Sequence, residues 1–192
     1  MLNKTVKWIS LVVLASLLLS CLSGCVNSEN KKFGELTNYI VENGVCSNGT
    51  YTISRPLKDL GSVWEDDSGT IYMVYDKATG LLIFEFNGEY DGYTSCSKVI
   101  FNKDADYLDI SAEDKFDDHA FQYKGKIPKY SFSSANCETM VTSFETNNAP
   151  FGEANAKATL GVAASLVLSY TGFLLSHLNI GITLKDIGFS NY

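Results

Sequence analysis

Two histidines, three cysteines beyond residue 25 and one dense run of carboxylates are the side chains best suited to chemistry. His119 follows Asp117 and Asp118. Carboxylates beside an imidazole help it hold a proton and suit it to acid–base work, although an exposed side chain in an acidic loop is the plainer reading. His177 sits among Leu174, Leu175 and Leu178 and reads as a core or helix-end histidine. The run Asp104, Asp106, Asp109, Glu113, Asp114, Asp117 and Asp118 offers the oxygen donors a hard cation such as calcium prefers. EF-hand spacing fails, because Asp109 stands where glycine is needed and Lys115 where a bidentate glutamate is needed. A solvated acidic loop is therefore expected, and no metal site. Cys46, Cys96 and Cys137 are odd in number. Outside the cytoplasm one pair can be oxidised and one thiol left over, and spacing does not choose the pair. There is no Cys-x-x-Cys, His-Glu-x-x-His, Gly-x-Ser-x-Gly or phosphate-binding glycine loop. No catalytic residue and no cofactor is expected. Trp64 lies in the loop-like stretch Gly61–Gly69, where a partly exposed ring could stack on a sugar or peptide, so it is the candidate ligand-binding residue.

A more specific signal sits at the N-terminus. Lys4 and Lys7 precede an uncharged stretch, Trp8 to Leu19, dominated by leucine and valine. A cationic start followed by roughly 7–15 apolar residues is the layout of an export signal. Then comes Leu22-Ser23-Gly24-Cys25, which resembles the lipobox of bacterial lipoproteins. The resemblance implies that the Cys25 thiol receives a diacylglycerol through a thioether and that a signal peptidase cuts just before it. Small residues at 23 and 24 leave the backbone beside the reacting sulfur unobstructed. Cys21, at the end of Leu18-Leu19-Ser20-Cys21, is a second and poorer match, with a bulky leucine where a small residue is usual. An uncleaved spanning helix would need about 20 mostly apolar residues, and here it would carry Ser20, Ser23, Gly24 and Asn27. The expected organisation is a signal peptide at 1–24, a lipidated polar tether at 25–32 and one domain at 33–192.

The totals agree. The chain has 192 residues, 45% of them hydrophobic, and a net charge of -7, enough for a single packed core. Acidic residues outnumber basic ones by 22 to 15, which argues against binding nucleic acid. Losing Lys4 and Lys7 with the leader takes the side-chain balance to -9. Attachment must then come from acyl chains, since such a charge opposes anionic lipid heads. Each buried methylene contributes about 0.8 kcal/mol and two chains hold stably where one does not.

The elements that would carry these residues can be read from periodicity. Phe33, Leu36, Tyr39 and Ile40 share one face of a helix that Gly44 ends. Residues 50–54, 71–75, 81–86, 94–101, 108–110, 120–123, 130–133 and 138–144 read as candidate strands, with Asp76-Lys-Ala-Thr-Gly80 as a hairpin connection and turns at Asn87-Gly88, Asp91-Gly92 and Lys124-Gly-Lys126. Strands this close together, with no helices between them, make an antiparallel meander. From Ala158 to Leu184 no residue carries a formal charge. Ala158, Gly161, Ser165, Ser169, Gly172 and Ser176 form a stripe of small residues along a long helix (158–179) that is apolar on its other faces. Such a helix must be covered on nearly all sides, by a wrapping sheet, by a second membrane helix or by another chain. Alternatively, the small stripe is its solvent side. Ile182, Leu184, Ile187 and Phe189 are expected to tuck under the sheet.

The predicted fold is therefore α+β: an antiparallel meander of about five to seven strands, with an N-terminal helix and a long apolar C-terminal helix against its concave face. This outline is similar to helix-grip folds, which can hold apolar ligands between sheet and helix. Their usual first strand, before the helices, is not found here. The expected function is a non-catalytic ligand- or partner-binding lipoprotein on the extracytoplasmic face of the cell membrane. Its partners would be membrane lipid, through the anchor, and a protein or apolar ligand. About 168 mature residues leave little room for the two lobes of a transporter-type solute-binding protein. The alternatives are an envelope-acting hydrolase using His119 and a nearby carboxylate, or a membrane-complex subunit using helix 158–179.

Overall fold

The computed structural model describes residues 28–60, 69–90, 93–116, 119–129, 141–146 and 153–189. It opens with a helix, α1, over residues 28–43. Phe33, Leu36, Thr37 and Ile40 are its buried face, at the helical spacing. Residues 28–32 of the polar stretch are already helical, so the helix is not confined to the part from Phe33 onward. Lys32 donates to Glu35 at 2.9 Å, an i,i+3 pair along the helix. Its other end closes where the Gly44 N–H reaches the Ile40 carbonyl at 2.8 Å.

One sheet of eight antiparallel strands follows, each hydrogen-bonded to the next in sequence: β1 (Val45–Ser47), β2 (Thr50–Pro56), β3 (Gly69–Asp76), β4 (Leu81–Tyr90), β5 (Tyr93–Phe101), β6 (Tyr107–Phe116), β7 (His119–Pro128) and β8 (Ser143–Thr146). The strand count is eight, above the predicted range, because β1 is a three-residue strand. It is joined to β2 by Asn48-Gly49, both at positive φ (51° and 82°), as a tight hairpin requires. The β3–β4 turn is held by Asp76, whose carboxylate accepts the Ala78 N–H at 2.9 Å and the Thr79 hydroxyl at 2.7 Å.

Two expected turns are strand interior instead. Asn87-Gly88 lies within β4, and Lys124-Gly-Lys126 within β7. In both, glycine serves close approach rather than chain reversal. Gly88 pairs with Gly69, and a Cβ on Gly88 would fall 2.8 Å from the Phe86 ring.

The sheet buries one face. Ile53, Met73, Phe84, Val99, Ile110, Gly125 and Phe144 are successive register partners across β2 to β8. Leu82, Phe84, Val99 and Leu108 are fully buried in it. Against this face lies α2 (Glu153–Leu178, 26 residues), in contact with β3 through β7. It runs from Leu160, over Gly125, to Tyr170, whose ring centroid is 5.2 Å from that of Phe86. Phe33 of α1 meets Phe101 at 5.6 Å, so both helices cover the same face. The C-terminal segment tucks in as expected. Ile182, Leu184, Ile187 and Phe189 are buried, with Phe189 against Phe84 and Phe101. The fold is α+β with a helix at each end, as the patterning predicted.

The covering of α2 differs from the expectation in one respect. Its buried side is Leu160, Gly161, Ala164, Val167, Leu168, Thr171, Leu174 and Leu175. Val162, Leu166 and Phe173 point outward and are 39%, 45% and 53% exposed. The small-residue stripe is mostly not the solvent side either: Gly161 is buried, Ala158, Ser165, Ser169 and Gly172 are half-buried, and Ser176 is exposed.

Candidate functional site

Alternation in the central strands sends one set of side chains into the core and the other to the opposite face of the sheet. On that outer face the register lines up Thr70, Asn87, Cys96, Glu113 and Gln122 in one row. Tyr72, Glu85, Lys98, Ser111 and Lys124 form the next. Side chains directly opposite one another on neighbouring strands are close enough to pair, and here they do. Lys98 meets Glu85 at 2.8 Å, and Asn87 donates to the same carboxylate at 2.9 Å. Lys115 meets Glu113 at 2.6 Å, and Gln122 donates to it at 3.0 Å. Cys96 lies between the two pairs, its Sγ 3.9 Å from Glu85 Oε1.

The electrostatics of this cluster follow from the pairing. The Lys115 hydrogen bond holds the Glu113 carboxyl below its ordinary pKa. The hydrogen bond to Glu85 holds Lys98 above its own. Burial, with the nearby Glu85 charge, pushes the Cys96 thiol up. At neutral pH Glu113 stays ionised, Lys98 and Lys115 stay protonated and the Cys96 thiol keeps its proton. The raised Cys96 pKa leaves it a thiol, a poor nucleophile. What the cluster supplies is a fixed pattern of donors and acceptors. It borders a groove of about 460 Å³ lined by Thr70, Asn87, Cys96, Glu113 and Lys115. Asn87 Oδ1 is buried there without a hydrogen-bond partner among the described residues.

A second groove, of about 560 Å³, lies between α2 and the segment that follows it, lined by Ser169, Gly172, Ser176, Ile182 and Leu184. Half of the small-residue stripe therefore makes room beside the C-terminal segment. The interface of α2 with the sheet itself is filled: Phe84, Val99, Val167, Leu168 and Leu174 are fully buried.

The residues singled out from sequence are scattered. Cys25 and Cys21 precede the described residues, and Trp64 lies in 61–68, outside them. His119 opens β7 opposite Phe116, and its side chain lies outside the described residues. His177 is exposed in the last turn of α2. Cys46, in β1, and Cys96, in β5, are unbridged, and Cys137 lies outside the described residues. The acidic run divides: Asp104 and Asp106 occupy the β5–β6 turn, while β6 sends Asp109 and Glu113 to the outer face and Asp114 to the other. Among the described residues no group of three metal-binding side chains comes together. Glu85, Asn87, Cys96, Lys98 and Lys115 were not anticipated as a cluster. Their period-two polar spacing was the available signal, but only register joins them. No family model matches this chain, and no curated protein or solved structure matches it.

Proposed function

We propose that this chain is an exported lipoprotein, held by a diacylglyceryl group on Cys25 at the extracytoplasmic face of the cell membrane, whose domain binds a polar ligand or partner without transforming it. The observation that carries the anchorage is the motif Leu22-Ser23-Gly24-Cys25 behind a cationic, then apolar, leader. The charge balance supports acyl attachment over a basic patch. Support for binding over catalysis is the outer-face cluster, in which Glu85 with Lys98 and Glu113 with Lys115 are already paired beside an open groove.

Mass spectrometry of the mature N-terminus tests the anchor. A chain beginning at Cys25 with the mass of a diacylglyceryl thioether is the expected result. A bare thiol at Cys25, or a different first residue, overturns it. For the groove, a thermal-shift screen of polar metabolites and cell-wall fragments should find a compound that raises the melting temperature of the native chain, because a ligand binding only the folded state stabilises it. The rise should vanish in Glu113→Gln. A rise that persists there places the ligand elsewhere.

A further inference from the structure

The outward side of α2 presents three large apolar side chains that are only partly covered among the described residues. Val162, Leu166 and Phe173 are 39%, 45% and 53% exposed. They fall on one helix face and lie within a stretch, 158–184, that has no formal charge. The helix is long and apolar enough to cross a membrane, yet one side of it is packed on the sheet, with 44% of its most apolar stretch buried. It is therefore a core helix whose outward side carries large apolar side chains in its middle, with Asn155, Thr159 and His177 exposed towards its ends.

The path of the chain indicates what lies against that side. α1 covers the same face of the sheet as α2. Its first turn reaches the C-terminal segment: Glu29 Oε2 would be 3.6 Å from a Cβ on Gly188, and Lys32 feels the charge of Asp186. Cys25 is three positions before residue 28, a reach of at most roughly 11 Å. An acyl group on Cys25 would then be tethered within that reach of the first described turn of α1, on the helix-covered side of the sheet. Three partly exposed side chains offer a few hundred Å² at most, short of the roughly 800 Å² per partner of a stable protein interface. A lipid surface needs no such area once acyl chains supply the affinity.

We propose that Val162, Leu166 and Phe173 rest in the interfacial layer of the membrane, so that the lipidated domain lies on its helices and turns the outer sheet face, with its groove, to the aqueous side. This rests on anchorage at Cys25, and the test separates the two. The full chain, with Trp8 and Trp64 replaced by phenylalanine, is given one reporter, Phe173→Trp, or as control Ser54→Trp on the opposite sheet face. It is purified from bacterial membranes and reconstituted into phosphatidylethanolamine vesicles with a minor phosphatidylglycerol component, carrying bromines near the top of the acyl chains. The N-terminal mass is read on the same sample.

Stripes of this kind sit about 5–10 Å into the headgroup boundary, so emission from Phe173→Trp should fall at least about twofold and shift to the blue while Ser54→Trp stays unchanged. Lipidated Cys25 with Phe173→Trp unquenched overturns the orientation and leaves the anchor standing. Quenching with an unmodified N-terminus removes the anchor and keeps the membrane contact. Concentration-dependent cross-linking of Phe173→Cys to a second copy, with no quenching, gives the stripe to self-association and also overturns the proposal.

Discussion

Leu160 of α2 lies directly over Gly125 of β7: a Cβ placed on that glycine would fall 2.8 Å from Leu160 Cδ2 and collide with the Ser143 backbone oxygen. Gly125 is the gap in the inward row that runs Ile53, Met73, Phe84, Val99, Ile110. Through this gap the start of α2 reaches the sheet while β8 pairs on the other side. Overpacking of this sort costs about 1–3 kcal/mol, so Gly125→Ala should lower the unfolding free energy from urea titrations by about that much. Gly34→Ala is the counterpart. Its Cβ meets nothing within 4 Å in a helical position, and it should gain about 0.5–1 kcal/mol. Equal effects from the two substitutions would mean that α2 is not seated as described.

The two sides of α2 should separate cleanly in solution. Leu168 is fully buried against the sheet, and Leu168→Ala should cost about 2–5 kcal/mol through lost burial and the cavity left behind. Phe173, 53% exposed, should lose at most about 2 kcal/mol on change to serine in chemical denaturation without lipid, less than Leu168→Ala. A large loss from Phe173→Ser would show that this ring belongs to the packed fold and is not available to a membrane.

Thiol reactivity gives a further check on the outer face. Cys46 is exposed, whereas burial and the Glu85 charge raise the pKa of Cys96. Alkylation depends on the thiolate and on access, so in the native protein near pH 8 iodoacetamide should label Cys46 well before Cys96, as peptide mapping would reveal. Glu85→Gln should speed labelling of Cys96 by removing a like charge. If Cys96 reacted first, the pairing around Glu85 would be wrong.

How much of this could be read from the sequence depends on the range of the interaction. The short apolar, β-prone runs at 71–75 and 81–86, and the Asp76–Gly80 connection between them, point to β3, β4 and their hairpin, because these are local patterns. The helix was legible from its uncharged length. Gly88 and Gly125 read as turns because a glycine needed for a neighbour's approach looks the same in one dimension as a glycine needed for chain reversal. The outer-face cluster was invisible for a related reason. Glu85, Cys96 and Glu113 are far apart in sequence and meet only because β4, β5 and β6 pair in one register. The exposed side of α2 was missed because an apolar helix implies cover without saying on how many sides.

Lys129 allows a test of sign as well as size. Its side chain is buried, 3% exposed for the residue, with the ammonium 4.3 Å from the Phe101 ring centroid and donating to the Lys103 carbonyl at 3.2 Å. Burial lowers its pKa from 10.5, against the opposing pull of Glu29, Asp104 and Asp106. A lysine whose folded pKa lies below its unfolded one costs stability wherever both states are charged, which includes neutral pH. As pH rises from the lowered value towards 10.5 the native state sheds its proton first, and the cost fades. Lys129→Met keeps the chain length against Phe101 and removes the charge. It should be more stable than the parent at pH 7, and this advantage should shrink steadily as urea titrations are repeated up to about pH 10. A variant less stable at pH 7 would mean that the ring contact and the Lys103 hydrogen bond outweigh burial, so that the ammonium stabilises the junction between α1, the β5–β6 turn and the C-terminal segment.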